Sequence, residues 1–358
     1  MNEYLTDTAN IKNILLKHRA SYAAYAGYFC SYFPSELLYG FNVHPVRIQG
    51  YSESLGQRRA LINYICSYLA DIMNAFESDH FSWADHLIVP ATCDSLYGAK
   101  EYLERNIQGI NVKMFRPPLK FDEGTYQFYK SSVEDVLEWM GSHYTFDDTA
   151  LKRGVEMKNR MTTGISELLS SDEGLFKGAV YLKLMIARSV LPAPVFMCML
   201  ESMDKAVVGQ NHNKAQTNLL VLGPICDNLD LIDYLNTDHN VITRFLTSTL
   251  GLHDCEVSLE GDVKDNLISH YFRRAGTVTS YDHYSKLISE LDTEIMERSV
   301  KGVIYINYKY CEPHMFFSKS IKDHLEKNGV KMLYLELEHS GGIDASIQNH
   351  IDTFTENI

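Results

Sequence analysis

Two hydrophobic periods alternate along this chain. Short apolar runs rich in β-branched and aromatic residues give way to segments whose apolar residues return every three or four positions. The clearest case is GVIYINYKYCEPHMFFSKSIKDHLEKNGVKMLYLELE, residues 302–338. Its opening run Val303, Ile304, Tyr305 and Ile306 predicts a buried strand. Phe316, Phe317, Ile321 and Leu325 recur at helical spacing over 315–327, Gly329 stops that helix, and 330–337 predicts another strand. This is a β-α-β unit, with Cys311 and Glu312 where its first strand stops and its helix starts. In open parallel sheets ligands bind outside that end of the strands.

The same grammar extends through the chain. It predicts a helix over 9–28, a helical turn entered at Pro34 through Glu36, Leu37 and Leu38, a strand over 43–48 and a helix around 58–75. A strand at 87–89 is followed by Cys93, Asp94 and a helix, and INVKMFRPP is a strand ended by Pro117 and Pro118. Residues 131–213 are mostly helical, Pro192 and Pro194 break one helix, and NHNKAQTN is a polar linker. The alternation then restarts with a strand at 219–222, Cys226 and Asp227 after a Gly-Pro turn, and a helix at 229–235. Strand, turn, cysteine, acid and helix thus recur at Cys93-Asp94, Cys226-Asp227 and Cys311-Glu312. The simplest architecture is two α/β domains, 1–150 and 216–358, joined by a helical connection over 151–215, with strand ends facing across a cleft.

Composition narrows the chemistry. The 358 residues suffice for two cores, and 45% hydrophobic residues is ordinary for a globular chain. A net charge of −13 without a dense basic stripe argues against nucleic acid and against an anionic membrane as partner. No run approaches the ~18 apolar residues of a membrane span, and the N-terminus lacks a signal-peptide core. Seven scattered cysteines then predict a reducing, cytoplasmic setting. There is no Cys-x-x-Cys pair, which sets aside a zinc ribbon and a ferredoxin-type loop, and no nucleophile elbow or phosphate loop. Thiolates converging from distant elements remain, and local context selects Cys93, Cys226 and Cys311, while Cys66 reads as a buried helix face. The aromatic-rich segment 22–39 has more apolar surface than one helix and strand need, which predicts an interface.

YFCSYFPSELLYGFNVHPVRI, YICSYLADI, LIVPATCDSLYGAKEYL and VIYINYKYCEPHMFFSKSIKDHLEKNGVKMLYLELE together resemble segments of the 2-hydroxyacyl-CoA dehydratase and benzoyl-CoA reductase family, in particular of its shorter, beta-type subunit. The first resembles the family's Pro-Glu-Glu helix and Leu-Pro-Val-Arg strand. YICSYLADI resembles its first cluster-cysteine helix, LIVPATCDSLYGAKEYL its Pro-x-x-Cys-Asp segment, and VIYINYKYCEPHMFFSKSIKDHLEKNGVKMLYLELE its Cys-Asp-Pro turn, helix and strand. The resemblance implies two Rossmann-like (flavodoxin-like) α/β domains with parallel sheets and a [4Fe–4S] cluster in the cleft between them. It implies Cys66, Cys93 and Cys311 as the three thiolate ligands, with the fourth iron open. It removes Cys226 from the set, leaves Cys30, Cys198 and Cys255 as core residues, and makes Asp94 and Glu312 helix caps. Pro34-Ser35-Glu36 stands where the family has Pro-Glu-Glu, NVITRFLTSTLG replaces a usual Asp-Asp-Leu, and Asn349-His350 replaces Thr-Arg. Ser35, Glu36 and His314 are the candidate catalytic side chains, His314 otherwise being a surface histidine.

The implied function is that of a cluster-bearing subunit of an oxygen-sensitive (R)-2-hydroxyacyl-CoA dehydratase. Water leaves by radical syn-elimination to an enoyl-CoA, started by one electron from an ATP-dependent iron–sulfur activator. A reductase of aromatic acyl-CoA or of a small molecule, and a non-catalytic electron relay, are the alternatives. The implied partners are an acyl-CoA substrate, the activator, and a longer homologous subunit or, in the alternative, a second copy.

Overall fold

We describe a computed structural model of the chain over residues 8–49, 65–170, 178–203, 217–224, 227–237, 241–246, 256–274, 283–339 and 341–358. The first helix, α1 (Thr8–Lys17), buries Ile11 and Leu15. The helix expected over 9–28 stops there, because 24–28 form the first strand, β1 (Ala24–Tyr28). Alanine favours helix in isolation, but AYAGY is buried at all five positions. A strand buried on both faces needs no alternation, so its sequence mimics helical spacing. The Tyr25 hydroxyl donates to the Leu15 carbonyl at 2.6 Å, and its amide donates to the Asp85 carboxylate at 2.8 Å.

A 3₁₀ segment (Ser35–Phe41) replaces the expected helical turn and ends at Asn42, in the left-handed region at φ 56°. Strand β2 (Val43–Arg47) follows, then helix α2 (Ser67–Glu77), β3 (His86–Pro90), α3 (Asp94–Asn106) and β4 (Asn111–Phe115). The four strands are parallel in the order β2-β1-β3-β4. The part of the predicted helix at 58–64 and the linker at 211–216 lie outside the described residues.

Helices α4 (Tyr126–Gly141), α5 (Asp148–Ser170), α6 (Gly178–Val190) and α7 (Ala193–Ser202) come next. The second sheet repeats the first: β5 (Thr217–Leu222), α8 (Leu229–Thr237), β6 (Val241–Leu246), α9 (Val263–Arg274), α10 (His283–Arg298), β7 (Gly302–Tyr308), α11 (Glu312–Lys327), β8 (Lys331–Leu337) and α12 (Ala345–Glu356). Its strands are parallel in the order β6-β5-β7-β8. The expected pair of parallel α/β sheets is therefore present, in the flavodoxin-like order. Among the described residues no helix is long and apolar enough to cross a membrane.

Helix α6 joins the halves. It packs on β2 of the first sheet and on β6 and α8 of the second, burying Leu182, Leu184, Ile186 and Val190 in one continuous core. Helix α9 returns to the first half, where Val263, Leu267, Ile268 and Phe272 join Phe33, Phe121 and Tyr129. Those aromatics answer the expected interface at 22–39. Tyr25, Tyr28, Phe29, Tyr32 and Phe33 are all buried, so the fold consumes this surface itself.

Each sheet reverses strand order once, between β1 and β3 and between β5 and β7. The C-terminal ends at those reversals form crevices. Cys30 and Cys93 follow β1 and β3, whereas Asp227 and Cys311 follow β5 and β7.

Close packing around this frame yields a test. A Cβ at Gly154, on α5, would stand 2.4 Å from Cβ and Cγ of Tyr39 on the 3₁₀ segment. Alanine gains up to about 1 kcal/mol in an exposed helix, but overpacking costs about 1–3 kcal/mol, and Cβ of Tyr39 has no freedom to move aside. Gly154→Ala is expected to lower stability by roughly 1–2 kcal/mol, read as a lower urea midpoint with an unchanged slope. A raised midpoint would refute this packing.

Candidate functional site

Three cysteines open three helices. Cys66 is the N-cap of α2, Cys93 of α3 and Cys311 of α11. A helix start leaves backbone N–H groups unsatisfied and carries partial positive charge. Asp94 and Glu312 were expected to cap, but they occupy the first helical position, where a negative charge complements the dipole. No side chain closes a cap hydrogen bond at these three sites. The backbone amides of Leu69, of Leu96 and Ser95, and of His314 instead favour the thiolates of Cys66, Cys93 and Cys311 in turn.

The helix starts converge. Cys66 lies within electrostatic reach of Cys311, Cys93 and Cys30, and Cys311 within reach of Cys93 and Cys30. Residues 27 and more positions apart in sequence, from both sheets, thus gather at one place. Cys30, expected in the core, is half-buried and belongs to this group, near Cys93 and in hydrogen-bonding contact with the Thr92 side chain. Cys198, also expected in the core, is exposed on α7. Cys226 and Cys255 lie outside the described residues.

Burial sets the charge state of the group. It pushes Cys30 and Cys311 each up to about 12, raises Cys66 further and raises Cys93 as well. Without a cation these thiols are neutral at pH 7, and a metal must displace their protons to bind. Thiols are soft donors suited to iron–sulfur clusters. Among the described residues no three His, Cys, Asp or Glu side chains gather tightly enough for one ion. A single zinc needs its sulfurs about 2.3 Å from one point, whereas a four-iron cube binds each thiolate at a different corner. The donor chemistry therefore fits a cluster.

A buried polar clamp holds the two sheets together beside Cys66. The Ser67 amide donates to the Lys309 carbonyl at 2.9 Å, and the His339 amide donates to the Ser67 hydroxyl at 3.1 Å. His339 Nδ1 meets Asp71 at 2.9 Å, and its Nε2 meets Asp227 at 3.3 Å. The Tyr308 hydroxyl donates to the other Asp227 oxygen at 2.5 Å. Tyr68 stacks on Tyr308, and both rings meet the imidazole edge-on. Burial pulls His339 down, but the charge of Asp227 and hydrogen bonds to Asp227 and Asp71 outweigh it and push it up to about 9. Burial raises Asp227, yet the His339 charge and the bonds from His339 and Tyr308 hold it below its ordinary value.

The remaining candidates are occupied elsewhere. Glu36 accepts a hydrogen bond from the Tyr271 hydroxyl at 2.6 Å. Ser35 is buried against the Tyr28 hydroxyl. His314 is buried, not on the surface, with Nδ1 2.9 Å from the Tyr305 hydroxyl. One residue escaped the sequence reading. Arg47, at the end of β2, is 2% exposed, and among the described residues its Nε and Nη2 have no hydrogen-bond partner. Its charge acts on Cys30, Tyr28 and Asp227. The signal for it was a charged residue closing an otherwise buried strand, VHPVR.

The clamp predicts a pH dependence. His339 has a raised folded value, so its contribution to stability is complete below its ordinary value of 6.5 and is lost as pH rises through about 9. Asp227 has a lowered folded value, so its contribution is present above the ordinary carboxylate range and lost as pH falls through it. The thermal midpoint of the metal-free protein is expected to fall between pH 6.5 and about 9, in the window set by His339. His339→Gln should lose that slope and destabilise by about 3–5 kcal/mol, since it strands buried carboxylates. Parallel profiles for the two proteins would refute the clamp.

Two relatives match along nearly the whole chain. A benzoyl-CoA reductase subunit from Thauera aromatica is 21% identical over 353 residues, covering 92% of this chain and 90% of the relative. An (R)-phenyllactyl-CoA dehydratase beta subunit from Clostridium sporogenes is 19% identical over 374 aligned positions, covering 100% of this chain and 98% of the relative. The family model described as 2-hydroxyglutaryl-CoA dehydratase, D-component, matches residues 30–358, a span that takes in Cys30, Cys66, Cys93 and Cys311. The chain belongs to that family.

Proposed function

We propose that the chain is the iron–sulfur subunit of an acyl-CoA dehydratase of the (R)-2-hydroxyacyl type, with one [4Fe–4S] cluster on Cys66, Cys93 and Cys311. One observation supports this most: in a chain of this family, three thiols that begin three helices from two sheets lie within electrostatic reach of one another. Bound there, a cluster supplies a one-electron carrier, and Lewis acidity at any iron lacking a thiolate. Dehydration of such a thioester removes an unactivated β-hydrogen. The radical route suits it, begun by one electron from an ATP-dependent iron–sulfur activator.

The chain's own residues hold charge and exclude water. Helix-start amides offset the thiolates, and Arg47 adds a buried positive charge beside Cys30. Glu36 and His314 are each hydrogen-bonded to a tyrosine, Tyr271 and Tyr305. In this reading substrate is handled mainly by a longer homologous partner, and this subunit stores or passes the electron. The benzoyl-CoA reductase relative supports a second reading, reduction of an aromatic acyl-CoA by the same electron path. The product separates them: an enoyl-CoA in one case, a dearomatised ring in the other.

A partner has a place to sit. Tyr97, Tyr310, Met315 and Phe316 are large apolar residues left exposed, Phe316 at 80%. All four lie within five positions of Cys93 or Cys311. Exposed apolar residues so near the cysteines in sequence suit an interface that keeps water and oxygen out, and both relatives are themselves named as subunits.

Two measurements test the proposal. Protein prepared anaerobically should be brown and contain about one four-iron cluster per chain, and Cys66→Ala, Cys93→Ala or Cys311→Ala should each lose most of that iron. A colourless preparation with full activity would refute it. Anaerobic sedimentation of the native complex should show a species well above the 40.9 kDa of one chain, containing a longer homologous chain. Phe316→Asp should release this subunit without loss of iron. Full turnover by the single chain would refute the partner.

A further inference from the structure

We propose that Cys30 is the fourth thiolate of the site, so that every iron of the cluster is bound by this chain and no substrate oxygen binds iron here. This rests on the cluster reading above and replaces one part of it, the open iron.

Position is the first argument. β1 and β3 are neighbours at the strand-order reversal, with Tyr28 paired to Ile88. Cys30 lies two residues past the end of β1, and Cys93 three residues past the end of β3. The Thr92 side chain hydrogen-bonds the Cys30 thiol next to Cys93. Cys66 and Cys311 also lie within electrostatic reach of Cys30. Among the described residues the only further cysteine is Cys198, exposed on α7.

Arg47 is the second argument and is independent of the thiols' grouping. It pairs in register with Tyr28, on the strand beside Cys30. It is buried, yet among the described residues its Nε and Nη2 have no acceptor. A buried guanidinium without an anion is strongly disfavoured. Asp227 lies in its field, but the Asp227 oxygens are taken by Tyr308 and His339. The group beside Arg47 that metal binding would make anionic is the Cys30 sulfur. Nε and Nη2 form the paired donor edge of the guanidinium, and hydrogen bonds to sulfur tune cluster potential. A neutral thiol at Cys30 leaves the Nε and Nη2 donors of Arg47 without an acceptor among the described residues, whereas a ligating thiolate supplies one.

The consequence is functional. Four cysteines are the ordinary ligand set of a [4Fe–4S] cluster. A closed set suits electron transfer, while catalytic metal sites keep a position open. The role left to this chain is to take one electron from the activator and give one to its partner, with no bond made or broken on it.

The test uses the native complex, grown with ⁵⁷Fe and prepared anaerobically. Iron content is measured first, then the Mössbauer spectrum, then the EPR spectrum of the reduced protein with and without cyanide. The expected result is iron with no single site set apart by oxygen ligation and an EPR spectrum that cyanide leaves unchanged. In Cys30→Ser, one iron in four should separate in the Mössbauer spectrum, and in Cys30→Ala cyanide should change the EPR signal. Loss of iron from Cys30→Ala as complete as from Cys66→Ala, at an unchanged thermal midpoint of the metal-free form, also supports the assignment. A distinct fourth iron already present in the wild type, with Cys30→Ala giving the same spectrum, overturns it while the cluster reading stands. No iron in the wild type overturns both.

Discussion

The first turn of α2 is inserted into the end of the second sheet, and the site exists because of it. Ser67 exchanges hydrogen bonds with Lys309 and His339 and lies near the Leu337 carbonyl, all at the ends of β7 and β8. Cys66 is one residue earlier, so the same contacts that dock the helix set its thiol beside Cys311. These partners lie about 240–270 positions apart along the chain, and joining them carries a large ordering cost. The shared apolar core through α6 supplies the driving force. A buried Asp71–His339–Asp227 arrangement adds little net energy of that kind. Its directional bonds tolerate only one alignment of the halves, and alignment is what brings thiols from both halves together.

The same strand-order reversal in both sheets explains why cysteines from distant segments meet. Each reversal leaves a crevice at the strand ends, and each helix leaving the crevice starts with unsatisfied amides. Two crevices facing one another bring several such starts together. The first sheet contributes Cys30, Cys66 and Cys93, and the second contributes Cys311, with Asp227 after the neighbouring strand β5.

Much of this was legible in the sequence. Apolar runs such as VIYI and LIV sit on two-sided strands and appear as such, and Cys93 and Cys311 were visible because each follows one directly. Strand β1 was not legible. AYAGY has tyrosines three positions apart, at helical spacing, beside alanines that favour helix, and only tertiary burial on both faces decides the matter. Cys66 looked like a core residue because its neighbours Tyr68, Leu69 and Ile72 are apolar at helical spacing. The cap position of Cys66 depends on where the helix begins, which periodicity fixes poorly. Cys30 and Arg47 were hidden for the same reason as β1: their meaning comes from strands β1 and β2 ending side by side. Asp227 was read as one more acid after a strand, and nothing local in GPICDN announces its histidine 112 positions away.

Cysteine at a helix N-cap is a poor choice on structural grounds alone. A Ser, Thr, Asp or Asn cap is worth about 1 kcal/mol relative to a residue that accepts no bond. Neutral Cys66, Cys93 and Cys311 close no such bond, so three helices forgo a stabilisation that serine would give without changing shape. The deficit disappears if the sulfurs are anionic, because a thiolate at a helix start is favoured by both dipole and amides. Burial opposes that charge here, raising all three thiols. On the cluster reading a bound cation would resolve the conflict: it would remove the protons, make the caps effective and neutralise the charge that burial disfavours. The capping deficit and the soft donor set thus have a single origin in the choice of these residues.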